Sequence, residues 1–355
     1  MKAGPVLSVL AAAFLFGLSA PLAKLLLGRV DPVALAGLLY AGVFLGLAAY
    51  RVAAGRFRGR ETARGDGHGA PLGRRDLPWL AGAVLSGGIA APILLMLGFG
   101  RVSGLTGSLL LNFEATATAL IAVLLFRENA GGRVWAALAL MTAGGALLSW
   151  VPGEGRLEIA GPLLVLAAMA GWGLDNNLTR QISGKDPVTI AMVKGLVSGA
   201  VSLTLAFSLG RGFAPGPAAA AALAVGALGY GLSLVLFIKG LNGLGAFRTG
   251  ALFSVAPFAG AAASVIILGD RVGPGLAAAG LLMAAGVALV VREKHVHAHH
   301  HDRTLHAHAH VHSDVHHLHG HEEDGTREPH DHAHVHEAMD HVHGHWPDGD
   351  HRHGH

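Results

Sequence analysis

Charged side chains interrupt four long apolar stretches of the chain: Lys24, Glu114, Asp175 and Lys194. Placing a charge at the centre of a bilayer costs about 2.5 to 3.5 kcal/mol on insertion scales, so such residues normally face a cavity or a partner. Glu114 follows Asn112 closely, and Asp175 directly precedes Asn176. These groups could take up a proton, bind a small molecule, or do both.

Two interpretations of these residues stay open. In the functional one, Glu114 or Asp175 takes up a proton and a lysine binds a substrate carboxylate. In the structural one, Glu114 pairs with Lys194 or Lys24 so that the helices can pack, and Lys24 extends to the lipid headgroups. The predicted substrate and proton pathway contains seven residues: Lys24, Asn112, Glu114, Asp175, Asn176, Lys194 and Tyr230.

The apolar stretches that hold these residues are long enough to be membrane helices. The chain is 52% hydrophobic and only 14% charged, which does not suit a soluble surface. Ten runs of roughly 17 to 23 residues could cross the hydrocarbon core. They cover residues 6–27, 32–50, 77–99, 104–126, 134–150, 159–178, 187–209, 217–238, 249–268 and 274–291. The rival interpretation of the first run is a cleaved signal peptide, but the run continues to Leu27 and has a counterpart later in the chain, so we interpret it as a span.

The ten runs are two copies of one unit. The sequence FGLSAPLAK from Phe16 has a counterpart in WGLDNNLTR from Trp172, and each is followed by an Asp-Pro that opens the next run. Further on, Thr106 aligns with Thr249, which places Glu114 on Pro257. Three matches in one order indicate an internal repeat.

An odd number of spans in each copy makes the repeat inverted. Lys and Arg are concentrated on alternate loops, beginning with the side that holds Lys2, which predicts that both termini are cytoplasmic. The fold class is therefore an all-α membrane protein of ten helices in two inverted five-helix repeats, in the cell inner membrane. The predicted boundaries are 1–150, 151–291 and a tail at 292–355.

These motifs resemble the EamA branch of the drug/metabolite transporter superfamily. The resemblance covers about residues 6–291 and rests on Phe16-Gly17 to Lys24, on Trp172-Gly173 to Arg180, on the two Thr-Gly pairs, and on the acidic residues Glu128 and Asp270. It implies a carrier of metabolites such as amino acids, nucleosides, drugs or sugars. The chain departs from the family where Leu39 and Lys194 replace a common Arg, and where Glu114 replaces a Pro. Glu128 and Asp270 lie at the membrane interface, and we predict that they cap or pair locally.

The tail is a different kind of sequence. It holds all but one of the 24 histidines, mostly as His-x-His, and few large apolar residues, so we predict disorder without a ligand. Alternate imidazoles with no cysteine favour Zn, Ni, Co or Cu(II), although the same histidines could sense pH. The predicted ligands are His295, His297, His299, His306, His308, His310, His312, His316, His319, His330, His332, His334, His336, His341, His343 and His345.

Three functions compete. The first is a secondary transporter that exports small amino-acid-like or drug-like metabolites by alternating access, with protons as a candidate coupling ion and a metal-binding tail. The second is a divalent-metal exporter whose tail gathers cytosolic Zn, Ni or Co. The third is a membrane-anchored metal buffer. The spans contain no catalytic motif, so we expect no enzyme, no required cofactor and no nucleic-acid partner, in a monomer or homodimer within the lipid bilayer.

Overall fold

The structure is a computed structural model. It describes residues 3–57, 71–126, 132–148, 150–151, 156–157, 159–182, 184–211, 216–240 and 252–291, and the strand segments 295–301, 304–310, 330–336 and 339–345 of the tail. Within these residues, Met1–Glu293 and Lys294–His355 are separate compact units.

The first unit is built from ten helical segments among the described residues. They are α1 (Ala3–Leu26), α2 (Pro32–Phe57), α3 (77–99), α4 (104–126), α5 (Gly132–Leu148), α6 (Ala160–Arg180), α7 (Pro187–Ser208), α8 (Gly216–Gly240), α9 (Ala256–Leu268) and α10 (Pro274–Val291). Two short antiparallel strands, β1 (Trp150–Val151) and β2 (Arg156–Leu157), lie between α5 and α6. The chain belongs to the predicted fold class, an all-α membrane protein with ten helices in two repeats.

Six of these segments are long and apolar enough to cross a membrane: α1 to α4, α7 and α8. Parts of α5, α9 and α10 are shorter apolar helices. In α6, the run Asp175, Asn176 and Asn177 lowers the hydropathy, although the helix has 21 residues. The polar residues of α6 face other helices, as described below for the cavity.

The Asp-Pro pairs of the two repeats begin α2 and α7. Asp31 accepts hydrogen bonds from the backbone N–H groups of Val33 and Ala34, and Asp186 does the same for the first turn of α7. A side-chain acceptor here satisfies N–H groups that have no partner inside the helix. The following proline stands where a helix needs no N–H donor. The repeated dipeptide is therefore a pair of helix starts.

Each cap also binds an arginine from the other repeat. Arg211, just after α7, donates to Asp31 at 3.0 Å. Arg51 of α2 donates to Asp186 and, at 2.6 Å, to Thr189. These two bridges join α2 and α7 at opposite ends of the bundle, and we call them the cap bridges.

The helices pack in a pattern that is unchanged when the two repeats are exchanged. Helix α2 packs on α7, α5 packs on α10, and the first half of α4 packs on α9. In the same way, α1 of the first repeat packs on α9 of the second, and α6 of the second repeat packs on α4 of the first. Both α3 and α8 contain a π-helical stretch, at Val84–Ala90 and Gly226–Leu232. Helix α4 breaks at Leu111 and Asn112, and the same kind of turn precedes α9. Irregularities at equivalent places are the structural signature of the duplication.

Glycines let these helices approach closely. A Cβ added at Gly17 would lie 2.4 Å from the carbonyl oxygen of Ala256, and one at Gly173 would lie 2.8 Å from the backbone nitrogen of Thr118. Small residues at helix crossings permit such backbone contact in membrane bundles. The glycine of each aromatic-Gly motif is therefore where the first helix of one repeat crosses the fourth helix of the other.

The tail contains four strands in two antiparallel pairs. Strand β3 (His295–His301) pairs with β6 (Met339–His345), and β4 (Thr304–His310) pairs with β5 (His330–His336). The register places histidine opposite histidine, as in His297 with His343 and His308 with His332. The prediction that the tail is disordered without a ligand stays a prediction.

Candidate functional site

A cavity of about 100 Å³ lies among helices of both repeats. Its charged and polar lining comes from Tyr40, Glu114, Trp172, Asp175, Asn176, Lys194, Tyr230 and Ser233. Apolar lining residues are Phe16, Val43, Ala191, Leu234, Phe237 and Phe253. The lining follows α8 from Tyr230 to Phe237 and includes Phe253, so the cavity extends from mid-bundle toward the face where α1 begins. The repeat interface therefore holds five of the seven predicted pathway residues: Glu114, Asp175, Asn176, Lys194 and Tyr230.

Lys194 and Asp175 form a buried ion pair. The Nζ atom of Lys194 lies 2.6 and 2.5 Å from the two carboxylate oxygens of Asp175, and Thr179 donates to the same carboxylate at 2.8 Å. Only 7% of the lysine side chain and 9% of the aspartate side chain are exposed. The interpretation from the sequence in which Lys194 pairs with Glu114 is therefore wrong, because Lys194 pairs with Asp175. Asp175 of α6 and Lys194 of α7 therefore meet at the cavity wall.

Glu114 has a different environment. Its Oε1 atom accepts a hydrogen bond from Asn176 Nδ2 at 3.0 Å, and the same amide also donates to Thr118 at 3.2 Å. No salt bridge reaches Glu114 from the part of the chain that the structure describes. Asp175 and Lys194 offset each other, so Glu114 leaves the cavity with one negative charge when it is ionised.

An aromatic cluster forms the rest of the wall. Phe16 lies at its centre, with ring centroids 5.7 Å from Trp172, 5.6 Å from Tyr230 and 5.5 Å from Phe253. Edge-to-face arrangements at these distances are favourable for aromatic pairs. The aromatic residue of each repeated motif therefore lines the cavity, while the glycine beside it permits the helix crossing.

The π-helical stretch of α3 holds this wall in place. The carbonyl of Gly87 accepts hydrogen bonds from Tyr40 Oη at 2.8 Å and from Trp172 Nε1 at 2.9 Å. A Cβ at Gly87 would lie 2.0 Å from an Asp175 carboxylate oxygen, so the ion pair also packs against this residue. Single π turns occur often at functional sites. Here the irregular turn anchors side chains from α2 and α6.

Other predicted site residues lie outside the cavity lining. Lys24 is half-buried, and its Nζ donates to the carbonyl of Phe99 at the end of α3 at 2.5 Å, so it does not pair with Glu114. Asn112 is buried at the break in α4 and donates to Leu109. Asp270 accepts a hydrogen bond from the backbone N–H of Leu105 at 2.7 Å, so it contacts the first turn of α4 in the other repeat rather than its own helix.

Sequence reasoning missed several cavity residues. Tyr40, Phe237 and Phe253 line the site, yet an aromatic residue in an apolar run is indistinguishable from a lipid-facing one by type alone. The sequence did contain one indication for Phe253. The alignment of Thr106 with Thr249 places Phe253 in the segment of the second repeat that is equivalent to the break in α4. Glu128, the equivalent of Asp270 in the first repeat, lies outside the described residues.

Asp186 titrates at the face where α7 begins. Burial raises the pKa of its carboxyl, but hydrogen bonds from the Thr189 hydroxyl and the Val188 N–H, together with the charge of Arg51, outweigh that effect. The result is a pKa below the ordinary value. Asp186 is therefore ionised near neutral pH, where it can hold its cap bridge.

The tail histidines can be placed only by backbone register. Thirteen of the predicted ligands lie in β3 to β6, whose side chains the structure does not describe. His312, His316 and His319 lie outside the described residues altogether. The prediction that these histidines bind a metal ion stays a prediction.

Comparisons with known proteins agree with this architecture. A family model described as the EamA-like transporter family matches residues 4–150 and 159–292, one match for each repeat. The chain is 29% identical over 301 residues to a protein of Methanothermobacter thermautotrophicus named "Uncharacterized transporter", covering 80% of this chain and 85% of that one. A Pseudomonas aeruginosa protein is 33% identical over 188 residues, covering 52% of this chain and 64% of that one.

A solved crystal structure shows the same fold. It has a TM-score of 0.58 at 18% sequence identity, and the match covers 81% of this chain and 96% of the other. At this identity the likeness is one of fold alone. The family match, by contrast, covers both repeats and most of the chain.

Proposed function

Since this chain belongs to the EamA-like transporter family, we propose that it is a secondary transporter that exports small metabolites through the central cavity. The observation that carries the proposal is the cavity at the repeat interface, where Glu114 has no basic partner among the described residues. Transporters with inverted repeats bind substrate at such interfaces near the membrane midplane. We place the chain in the cell inner membrane with both termini in the cytoplasm, on the basis of the Lys and Arg distribution.

The contacts around the cavity support alternating access. The cavity extends toward the face where α1 begins. On the opposite face, Lys24 of α1 binds the end of α3, and Asp270, just after α9, accepts a hydrogen bond from the first turn of α4. Alternating access requires a state in which the cavity extends toward one face while helix ends contact each other at the opposite face. The described contacts fit such a state.

Protons are the proposed coupling ion, and Glu114 is the proposed proton site. A carboxylate that lines a cavity and lacks a basic partner can release its proton to a solution on one side and take one up on the other. Asp175 is less suited to this role, because Lys194 stabilises its charge from both oxygens. In this scheme the buried ion pair shapes the site while Glu114 titrates.

Vesicle transport tests the proposal. The full chain would be reconstituted with a pH gradient, and amino acids, nucleosides, Zn, Ni and Co would be screened for flux. We expect metabolite flux that depends on the gradient, and loss of that dependence in Glu114→Gln. Asp76→Asn, at a surface helix end where Asp76 pairs with Lys185, is the matched control and should transport normally. Normal gradient-dependent flux in Glu114→Gln would refute the proton assignment.

The strand register of the tail favours a second candidate, the divalent-metal exporter. His-x-His on paired strands gives histidines at facing register positions of the backbone, such as His297 and His299 opposite His343 and His341. Four imidazole nitrogens form an acceptable set for Zn, Ni or Cu(II). A chain ending at Arg292 decides between the candidates. Metal flux that disappears when the tail is removed supports the divalent-metal exporter. Metabolite flux that persists without the tail supports the metabolite exporter.

A further inference from the structure

The cavity offers a substrate few free hydrogen-bond donors. Lys194 directs its ammonium to Asp175, and Asn176 directs its amide to Glu114 and Thr118. The hydroxyl of Ser233 donates to the carbonyl of Ala12 at 2.9 Å. The donors of Tyr40 and Trp172 are likewise used by the Gly87 carbonyl. A substrate carboxylate entering this cavity would therefore lose water without meeting a lysine whose charge is uncompensated.

The groups that remain available suit a cation. Glu114 stands in the first turn of the helical stretch Phe113–Phe126 with an amide partner and no described salt bridge. The rings of Phe16, Trp172 and Tyr230 line the same cavity. The faces of aromatic rings attract cations, and the attraction is larger where water is excluded. One uncompensated carboxylate beside an aromatic wall is the arrangement that recognises an amine or a quaternary ammonium group.

We infer that the central cavity selects small monovalent organic cations, amines or quaternary ammonium compounds with an apolar body, and that substrate and proton compete for Glu114. The inference rests on the proposed transport function and names its substrate class. It replaces the expectation from sequence that a lysine binds a substrate carboxylate, since Lys194 is held by Asp175.

Competition with protons follows from the charges that face Glu114. The titratable groups around it are Asp175 and Lys194, which form an ion pair, and the hydroxyls of Tyr40 and Tyr230. Tyrosine is uncharged near neutral pH. The net charge of the cavity therefore changes from minus one to zero when Glu114 is protonated. A cation binds the first state better than the second, so a single carboxylate can exchange a proton for a substrate.

Binding of a permanently charged probe tests this inference. Benzyltrimethylammonium cannot itself titrate, so any pH dependence of its binding to the purified full chain belongs to the protein. The matched probes are benzyl alcohol, phenylalanine and 3-phenylpropionate, which are neutral, zwitterionic and anionic. Calorimetry in detergent at several pH values would give the affinities. We expect the cation to bind at least tenfold more tightly than the anion, and its affinity to fall by up to tenfold per pH unit on acidification.

Three variants locate the effect. Glu114→Gln should weaken cation binding at least tenfold and remove its pH dependence, whereas Glu114→Asp should retain both if the variant chain is as monodisperse as the parent. Phe16→Leu should weaken benzyltrimethylammonium more than benzyl alcohol, because it removes a ring face. Asp76→Asn is the control for loss of a carboxylate outside the cavity and should bind as the parent does.

The outcomes separate the substrate class from the transport function. Equal or tighter binding of 3-phenylpropionate or phenylalanine would overturn the inference, as would undiminished cation binding in Glu114→Gln. If an anionic or zwitterionic metabolite then crosses vesicles in a Glu114-dependent way, the proposed transporter stands and the cation selectivity is wrong. If the cation binds as expected but no solute crosses the membrane, the site stands and the proposed function is wrong.

Discussion

The buried ion pair between Asp175 and Lys194 leads to a prediction about stability. Removing one partner of a buried pair leaves an uncompensated charge and typically costs about 3 to 5 kcal/mol. Both side chains here are less than a tenth exposed, and the lysine contacts both carboxylate oxygens. We therefore expect Asp175→Asn and Lys194→Met each to destabilise the protein by about 3 kcal/mol or more.

The double variant measures the pair itself. When both charges are removed, no buried charge stays unpaired, and replacing a whole pair by uncharged groups is often close to neutral. Asn keeps the size of the aspartate, which matters because Gly87 packs directly against residue 175. The double variant should therefore recover most of the loss, giving a coupling energy of about 2 kcal/mol or more.

Thermal melting of the detergent-solubilised full chain is the assay. A loss of 3 kcal/mol corresponds to a decrease in apparent Tm on the order of 10 °C for each single variant. The control is the pair of Asp76 and Lys185, at 3.3 Å and more exposed, whose removal should leave the apparent Tm close to that of the parent chain. Additive losses in the double variant would refute the reasoning, because they would show that the two charges do not stabilise each other.

Two further predictions concern helix packing and pH. A Cβ at Gly226 would lie 1.9 Å from the carbonyl oxygen of Leu39, while one at Gly216 meets nothing within 4 Å. Gly226→Ala should therefore lower the free energy of unfolding by about 1 to 3 kcal/mol. The control Gly216→Ala should not lower it. The pKa of Asp186 is lowered from 3.8 in the folded protein, so its contribution to stability is complete above that value and is lost as pH falls through the lower folded pKa. Comparing melting at pH 3 and pH 7 should show a smaller acid-induced loss in Asp186→Asn than in the parent chain. Equal losses would mean that the cap bridge contributes nothing measurable.

Much of the architecture could be predicted from sequence because apolar length and repetition are strong signals. Helical segments occur at all ten predicted places. The ends were less predictable: α2 continues to Phe57 rather than residue 50. The break in α4 was also missed, although the alignment of Glu114 with Pro257 contained a clue, since Pro257 stands in the first turn of α9. A proline in that position favours a helix start.

The partners inside the cavity could not be predicted from sequence. Helices α4, α6 and α7 each contribute one charged residue to the cavity. An ion pair of Lys194 with either carboxylate would offset the free-energy cost of burying the lysine. Only the relative rotation of the helices decides that Lys194 reaches Asp175 rather than Glu114. The same applies to Gly87, whose carbonyl receives two side-chain donors because a π turn interrupts α3. Sequence periodicity carries no information on that turn.

The cap bridges have a consequence for how the molecule is assembled. Asp31 of the first repeat receives its arginine from the second, and Asp186 of the second repeat receives its arginine from the first. Each half forms its own helix cap, but neither half supplies the arginine that binds the capping carboxylate, so the two bridges form only where both halves have folded against each other. Two separate five-helix chains, inserted in opposite directions, could form the same two bridges. The covalent link between the halves fixes their ratio at one to one.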